Sequence, residues 1–424
     1  MRRTTRLGLI AASLVSVFVL LAAGDESDRL GRIVRDPTLR NAVDLVSDGR
    51  QIFRFDTFGD EAFWGGTLRL HEGIATVSPR TALGVGLKVD VEALPRAIRR
   101  GIQSGAIDLD APATTQALLR LGAVVGVTGF FDDGRLSSVG IQCSLCHSTV
   151  DDSFAPGIGR RLDGWANRDL DVGAIINLSP DLRPLADLVG QDEPAVRLAL
   201  SGWGPGKFDA TLLLDGQSRP VLIPPAFGLA GINLHTWTGW GGISHWNALV
   251  ANVEMGGQGT FLDARLNDPA QFPVAAANGL GAIRHDPDLV TAKLPALQLY
   301  QLALPVPAGP AGSFDPQAAR RGAELFAAKA QCASCHVPPL FTEPGFNLHA
   351  PEEIGIDSLQ ADRSPAHGYR TAPLQGLWTH TKGGFYHDGR FATLEAIVAH
   401  YDTTFTLGLS DAEKRDLVAY LKSL

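Results

Sequence analysis

Two five-residue stretches, Cys143-Ser144-Leu145-Cys146-His147 and Cys332-Ala333-Ser334-Cys335-His336, contain all four cysteines of the chain. Both have the form C-x-x-C-H, the attachment pattern of c-type haem. Two thiols bond to the vinyl groups of one haem, and the histidine that follows is the proximal ligand of the iron. We therefore predict two covalently bound haem c groups, with iron ligands His147 and His336. The predicted attachment residues are Cys143, Cys146, Cys332 and Cys335.

Other chemistries of a C-x-x-C pair fit this chain less well. Such a pair also occurs in redox disulfides and as half of a zinc site. Histidine makes up only 11 of 424 residues, so chance would place it after both pairs in roughly one sequence in 1500. The first cysteines of the two pairs lie 189 residues apart, whereas the pairs of a zinc site are usually close in sequence.

Composition and charge narrow the class of protein. With 45% hydrophobic and 19% charged residues, the 424-residue chain has material for two or three globular domains. Its net charge of -8 argues against nucleic acid or an anionic membrane surface as partner. The charge allows a basic partner, such as a small redox protein.

The N-terminus predicts a secretory signal peptide over residues 1–24. Three arginines precede an apolar run from Leu7 to Ala23. That run is short for a membrane span, so we expect no span in the mature chain, with an uncleaved anchor as the alternative. Haem is attached to c-type cytochromes outside the inner membrane, and the motifs and the signal together predict a periplasmic protein.

We predict a mostly α-helical fold, with two cytochrome c-type haem domains and long ordered loops. The Pro/Gly-rich segment 304–314 is the clearest boundary. Asp315-Pro316 is typical of a helix start, and Ser410-Asp-Ala-Glu413 of a capping box; no strand alternation of any length is evident. The predicted divisions are a signal peptide (1–24), an N-terminal extension of unclear role (25–120), a first haem domain (121–303), a linker (304–314) and a second haem domain (315–424).

The C-terminal region resembles a known family. Tyr369-Arg-Thr-Ala-Pro-Leu-Gln-Gly-Leu-Trp378, followed by Phe385-Tyr-His-Asp-Gly-Arg-Phe-Ala-Thr-Leu-Glu-Ala-Ile-Val-Ala-His-Tyr401, is similar to the signature of di-haem bacterial cytochrome c peroxidases. Their superfamily includes MauG-type enzymes and di-haem rubber oxygenases. The resemblance implies a di-haem oxidoreductase that reacts with hydrogen peroxide and takes electrons from a small redox protein or an organic donor. A haem dioxygenase of the rubber-oxygenase kind, using dioxygen, and a non-enzymatic electron-transfer cytochrome are the alternatives.

The resemblance also implies a distal ligand for the second haem. Peroxidases of the family have methionine at the position of Tyr401, whereas MauG-type members have tyrosine. This chain contains only Met1 and Met255, and Tyr401 is therefore the predicted ligand. Tyrosinate is a harder, anionic donor that stabilises oxidised iron. Two other residues of the signature, His387 and His400, are the alternatives.

The first haem is predicted to have an open coordination position. Family members that need reductive activation carry a distal histidine soon after the first motif, but here the next histidine after His147 is His235. In the family a glutamate near this haem assists proton transfer, and Glu254 matches it. A family Trp-x-Gly provides an indole between the haems, and both Trp237 and Trp240 fit that pattern. His71 is a further candidate distal ligand, although a lone histidine is more often structural.

The resemblance raises calcium as a further cofactor. Family members often bind this ion between the haems, with a Thr-x-Pro before the His-Asp-Gly. Here Lys382-Gly383-Gly384 replaces those residues. A lysine ammonium in place of a threonine oxygen weakens a hard-cation site, so the sequence does not support calcium.

Overall fold

The computed structural model describes residue 31 and residues 35–424. The predicted signal peptide, residues 1–24, lies outside them. Helices predominate, which confirms the mostly α-helical prediction, and none of those in residues 35–424 combines the length and apolar character needed to cross a bilayer. The α-helices, numbered in chain order, are α1 Pro37–Phe55, α2 Leu70–Ile74, α3 Pro79–Gly84, α4 Arg96–Gln103, α5 Pro112–Arg120, α6 Ser144–His147, α7 Val172–Ile176, α8 Arg183–Val189, α9 Glu193–Ser201, α10 Leu212–Asp215, α11 Ile243–Leu249, α12 Pro273–Asn278, α13 Leu294–Ala303, α14 Pro316–Ala327, α15 Leu359–Asp362, α16 Leu394–Thr404 and α17 Asp411–Ser423.

The strands of the described residues form five separate two-stranded pairs. The longest pair is an antiparallel hairpin whose turn contains Asp133 and Gly134, both with positive φ. This hairpin was not predicted, although Asp-Gly between apolar runs is a strong hairpin signal. The strands are β1 Val89–Asp90, β2 Val127–Asp132, β3 Arg135–Ile141, β4 Ser148–Val150, β5 Ile158–Gly159, β6 Arg161–Asp163, β7 Lys207–Phe208, β8 Val221–Leu222, β9 Thr260–Leu262 and β10 Ala282–Arg284.

Capping residues start two C-terminal helices where the sequence predicts. The Asp315 carboxylate accepts the backbone N–H of Gln317 at 2.7 Å, with Pro316 in the first turn of α14. Ser410 and Glu413 form a complete capping box at α17. Both predicted helix starts are confirmed.

The segment 304–314 divides the described chain into two parts, which we call the first half (up to residue 303) and the second half (from residue 315). Each half contains a crossed helix pair, and the two pairs are built in the same way. In the first pair α1 packs on α13, and a Cβ on Gly49 would lie 2.0 Å from the carbonyl oxygen of Ala296. In the second pair α14 packs on α17, and a Cβ on Gly322 would lie 2.0 Å from the carbonyl oxygen of Asp416. Only glycine permits either approach.

Each glycine is followed four residues later by a phenylalanine that packs on a tyrosine of the opposite helix. The ring centroids of Phe53 and Tyr300 lie 5.5 Å apart, and those of Phe326 and Tyr420 lie 5.2 Å apart. Helix α1 therefore occupies the same position in the first half that α14 occupies in the second half. This gives part of the N-terminal segment a place in the first half, which the sequence left open.

Hydrophobic contacts join the predicted extension to the first half. One cluster of buried residues runs from Trp64 to Ile223 and crosses the predicted boundary at residue 120. A second cluster, from Phe326 to Leu421, fills the C-terminal half. The halves are tied by Arg363, which forms ion pairs with Asp209 and Asp215.

Candidate haem sites

The two motif histidines have the same hydrogen bonding. Nδ1 of His147 lies 3.1 Å from the carbonyl oxygen of Pro224, and Nδ1 of His336 lies 3.1 Å from that of Phe341. Burial lowers the pKa of both imidazoles to about 4, so they are neutral at pH 7. A neutral ring whose Nδ1–H donates to a carbonyl leaves the Nε2 lone pair for a metal.

None of the four motif cysteines takes part in a disulfide. Burial raises the pKa of Cys143 and Cys146 to about 12 and that of Cys332 to about 11. Zinc sites and reactive thiol pairs need thiolates, which this environment disfavours. The environment therefore does not favour either of these alternatives.

The two halves each contain a seven-residue loop after the haem motif, residues 235–241 in the first and 385–391 in the second. His235 donates its backbone N–H to Gly241 at 2.9 Å, and Phe385 donates to Phe391 at the same distance. The second and fifth residues of each loop have positive φ: Thr236 and Gly239 in the first, Tyr386 and Gly389 in the second. This internal repeat was not predicted, and it makes Trp237 the counterpart of His387.

Trp237 lies at the junction of the halves. Its Nε1–H donates to the carbonyl oxygen of Leu222 at 2.9 Å, and its own carbonyl accepts the N–H of Arg370 at 3.2 Å. Leu222 in turn donates its N–H to the carbonyl of His387 at 2.7 Å. Trp240 lies elsewhere, in a cluster with Trp246 and Phe272. Of the two tryptophans that fit the family pattern, Trp237 is the one that contacts both halves.

Tyr401 lies close to the second motif. Burial raises the pKa of its hydroxyl, the hydroxyl of Tyr386 has a smaller opposing effect, and the nearby Cys332 and Cys335 side chains also raise it. The other two candidates are engaged differently. His387 is 3% exposed and stacks on Tyr369 with ring centroids 5.2 Å apart. Nε2 of His400 lies 3.0 Å from the carbonyl oxygen of Ile354.

Glu254 lies close to the first motif. It ends the π-helical turn Val250–Glu254 that follows α11, a feature frequent at functional sites. Its Oε1 is buried and has no hydrogen-bond partner among the described residues. Burial, followed by the charge of Asp209, raises its pKa to about 8. The charge of Glu254 is also one cause of the raised pKa of Cys146.

The repeat shows which residues of the first half correspond to Tyr401. Tyr401 follows Phe391 by ten residues, and Ala251 follows Gly241 by ten residues. Counting from the helix starts gives Val250 instead. Both residues pack in the cluster that contains Cys143, and neither side chain has an atom that can ligate iron.

Comparisons with known proteins show which families and proteins the chain is similar to. Residues 319–424 match the cytochrome c family. The chain is 33% identical over 122 residues to the methylamine utilization protein MauG of Methylorubrum extorquens, which covers 25% of this chain and 34% of MauG. It is 27% identical over 231 residues to the cytochrome-c peroxidase IdrP1 of Denitromonas iodatirespirans, which covers 42% of this chain and 60% of IdrP1.

The resemblance to the cytochrome c peroxidase and MauG family is thereby confirmed. The matched regions span about a third and three-fifths of these two relatives. One chain in a structure of Kuenenia stuttgartiensis hydrazine synthase is similar at a TM-score of only 0.31 and 19% identity, with coverage of 53% of this chain and 78% of that one. A cytochrome c domain binds haem c covalently, and the second motif lies within the matched residues.

Buried cations at the junction fit the propionates of cytochrome haem. All three guanidinium nitrogens of Arg168, and Nη1 of Arg370, are buried without hydrogen-bond partners among the described residues. The charge of Arg168 lowers the pKa of His380, and that of Arg370 lowers the pKa of His235, in both cases after burial. Each arginine thus faces a histidine of the other half. Unpaired buried cations are costly, and an anionic propionate would pair with them.

His71 and Lys382 are the two further residues that the sequence raised. His71 lies on α2, and its Nδ1 is buried without a partner among the described residues. Lys382, at the position of the family's calcium-site threonine, forms an ion pair with Asp169. That ammonium group is unfavourable to a bound cation.

Proposed function

We propose that the chain is a di-haem c-type oxidoreductase of the peroxidase and MauG type. In this proposal one haem is held by Cys143, Cys146 and His147, and reacts with hydrogen peroxide. The observation that carries the proposal is that the two halves differ at corresponding positions. Tyr401 of the second half can ligate iron, whereas the residue that corresponds to it in the first half, Val250 or Ala251, cannot. An open position is needed for catalysis, and a pure electron carrier has no use for it.

Glu254 supplies acid–base chemistry beside the first motif. When bound, the haem iron supplies the position at which peroxide is reduced. The Glu254 carboxylate would accept a proton from one peroxide oxygen and donate it to the other, so that the O–O bond breaks and the second oxygen leaves as water, with two electrons that a bound haem would supply. Its burial suits this task, because a pKa of about 8 keeps both protonation states accessible near neutral pH.

The second half stores or relays oxidising equivalents. His336 and Tyr401 hold the second haem, with His387 and His400 as alternative distal ligands. Trp237 carries electrons between the halves, which is supported by its hydrogen bonds to Leu222 and Arg370. The reducing partner is a small redox protein or an organic donor, and the expected compartment is the periplasm.

The test closes the open position with a new ligand. In Ala251→Met a thioether is introduced beside the first motif, and Ala248→Met is the control, because Ala248 packs on the Trp240 cluster instead. We expect the wild-type ferric spectrum to show a high-spin fraction that disappears with Ala251→Met but not with Ala248→Met. Reaction with hydrogen peroxide, followed by stopped-flow absorbance, should be lost in the same variant.

Other outcomes decide between the alternatives. Two fully low-spin haems in the wild-type protein would refute an open site and favour electron transfer without catalysis. A dioxygen-bound form that is stable on isolation, together with no spectral response to peroxide, would favour a dioxygenase of the rubber-oxygenase kind.

A further inference from the structure

Trp240 makes a hydrogen bond that differs in kind from those of the other tryptophans. Its Nε1–H donates to Nε2 of His245 at 2.5 Å. Among the described residues, the other tryptophan hydrogen bonds go to oxygen atoms. The donors are Trp64, Trp203, Trp237 and Trp378. Imidazole nitrogen is a base, whereas carbonyl and hydroxyl oxygens are not at neutral pH.

The surroundings hold the two rings together. Trp240 is 5% exposed. A Cβ at Gly241 would lie 2.3 Å from Cδ2 of His245, so glycine is required for the imidazole to approach. Oδ2 of Asp263 lies 3.7 Å from His245 Nε2, and Asp263 is itself held by Arg265 at 2.7 Å. Burial lowers the pKa of His245 and the charge of Arg265 lowers it further, whereas the carboxylate of Asp263 raises it and so stabilises a protonated imidazole.

The pair lies one helix away from the first motif. Leu249 and Val253 pack in the cluster that contains Trp240. Ala251 packs in the cluster that contains Cys143, and Val250 packs against both clusters. A helix with its side chains is about 10 Å thick, so a single helical segment separates the indole from the first haem motif.

We propose that Trp240 is a proton-coupled redox residue, with His245 as the acceptor of its indole proton. Trp240 loses one electron to the oxidised haem site of the proposed function, on which this inference rests. The Nε1–H bond of the indole breaks as an N–H bond forms on His245 Nε2. The products are a neutral indolyl radical and an imidazolium that faces Asp263. A one-electron reductant at the surface returns the electron, and the proton moves back to Nε1.

The acceptor decides the outcome because an oxidised indole is a far stronger acid than neutral indole, though still a weak one. With an oxygen acceptor, the radical cation keeps its proton and remains a stronger oxidant. With His245, the positive charge moves to the imidazole, whose side chain is 20% exposed. The two nitrogen atoms are in direct hydrogen-bond contact, so the proton can pass between them without a bridging water.

The experiment generates the radical without peroxide. A negative result for Trp240 can therefore be distinguished from a lack of peroxide reactivity in the proposed function. The holoprotein is oxidised by flash-generated tris(bipyridine)ruthenium(III), frozen rapidly and examined by electron paramagnetic resonance after ring-deuterated tryptophan labelling. We expect a neutral tryptophan radical in the wild type. Trp240→Phe should abolish it. Trp203→Phe is the matched control, since Trp203 is equally buried but donates to Ser218.

The base is tested separately. His245→Gln keeps a hydrogen-bond acceptor but removes the proton acceptor, and the neutral radical should be replaced by a radical cation or lost. The inference is overturned if Trp240→Phe leaves the signal unchanged, or if His245→Gln gives the same neutral radical as the wild type. Circular dichroism of each variant establishes that it is folded.

Discussion

Replacing Arg363 with methionine should loosen the contact between the two halves. The guanidinium is 5% exposed and lies between Asp209 and Asp215, which are 2% and 4% exposed. Its Nε donates to Asp215 at 2.6 Å, and its Nη2 donates to the carbonyl of Gln217 at 2.7 Å. The methionine side chain has similar length but leaves two buried carboxylates without a cation.

The expected cost follows from the burial of those carboxylates. Removing one partner of a buried ion pair costs about 3–5 kcal/mol, because the charge left behind is neither solvated nor paired. Since 1.4 kcal/mol corresponds to a factor of ten, local opening should become about 150 to 4000 times more frequent. The backbone amide of Gln217 donates to Asp215 at 2.8 Å and therefore reports this opening.

Native-state hydrogen exchange with mass spectrometry measures the effect in peptides around 205–220 and 359–365. Arg80→Met is the control, because the Arg80–Asp110 pair is exposed and exposed pairs contribute little. Combining Arg363→Met with Asp209→Asn and Asp215→Asn should restore most of the protection, since no buried charge remains unpaired. The reasoning is refuted if Arg363→Met exchanges no faster than the control, or if the triple variant is as labile as the single one.

Three further predictions concern the haem sites. Because the pKa of Glu254 is about 8, only about a tenth of its side chains are ionised at pH 7. The rate of the peroxide reaction should therefore rise with pH toward a plateau above pH 8. In stopped-flow measurements, Glu254→Gln should react more slowly and at a rate that does not change with pH. Tyr401→Phe should change the absorption spectrum of the second haem and raise its reduction potential, whereas an unchanged spectroelectrochemical titration would place the ligand elsewhere. Treatment with EDTA should leave the melting temperature and the spectrum unchanged, since Lys382 and Asp169 are paired at the family's calcium position; a fall in melting temperature would contradict this.

Local signals in the sequence predicted the elements that depend on a few adjacent residues. The Asp315 cap and the Ser410 capping box are of this kind, because neighbouring atoms alone determine their geometry. The sequence also contained signals that were missed. Gly49-Arg-Gln-Ile-Phe53 and Gly322-Ala-Glu-Leu-Phe326 have the same pattern, which relates α1 to α14.

The arrangement of the site could not be obtained from the sequence, because it depends on distant residues. Trp237 and Trp240 fit the Trp-x-Gly pattern equally well, and only hydrogen bonds to Leu222 and Arg370 separate them. Likewise, Arg363 meets its two carboxylates from about 150 residues away. No local pattern encodes contacts of that separation.

Asp209 connects the stability of the junction to the chemistry beside the first motif. Its carboxylate pairs with Arg363, and its charge contributes to the raised pKa of Glu254. If the second half moved away with Arg363, Asp209 would lose its compensating cation, and its field at Glu254 would increase. Deprotonation of Glu254 would then become harder. Correct packing of the two halves is therefore a condition for the proton transfer that we assign to Glu254, even though Arg363 is far from Glu254 in sequence. A rise in the pH at which the peroxide reaction reaches half its plateau, in Arg363→Met relative to wild type, is the result that this coupling requires.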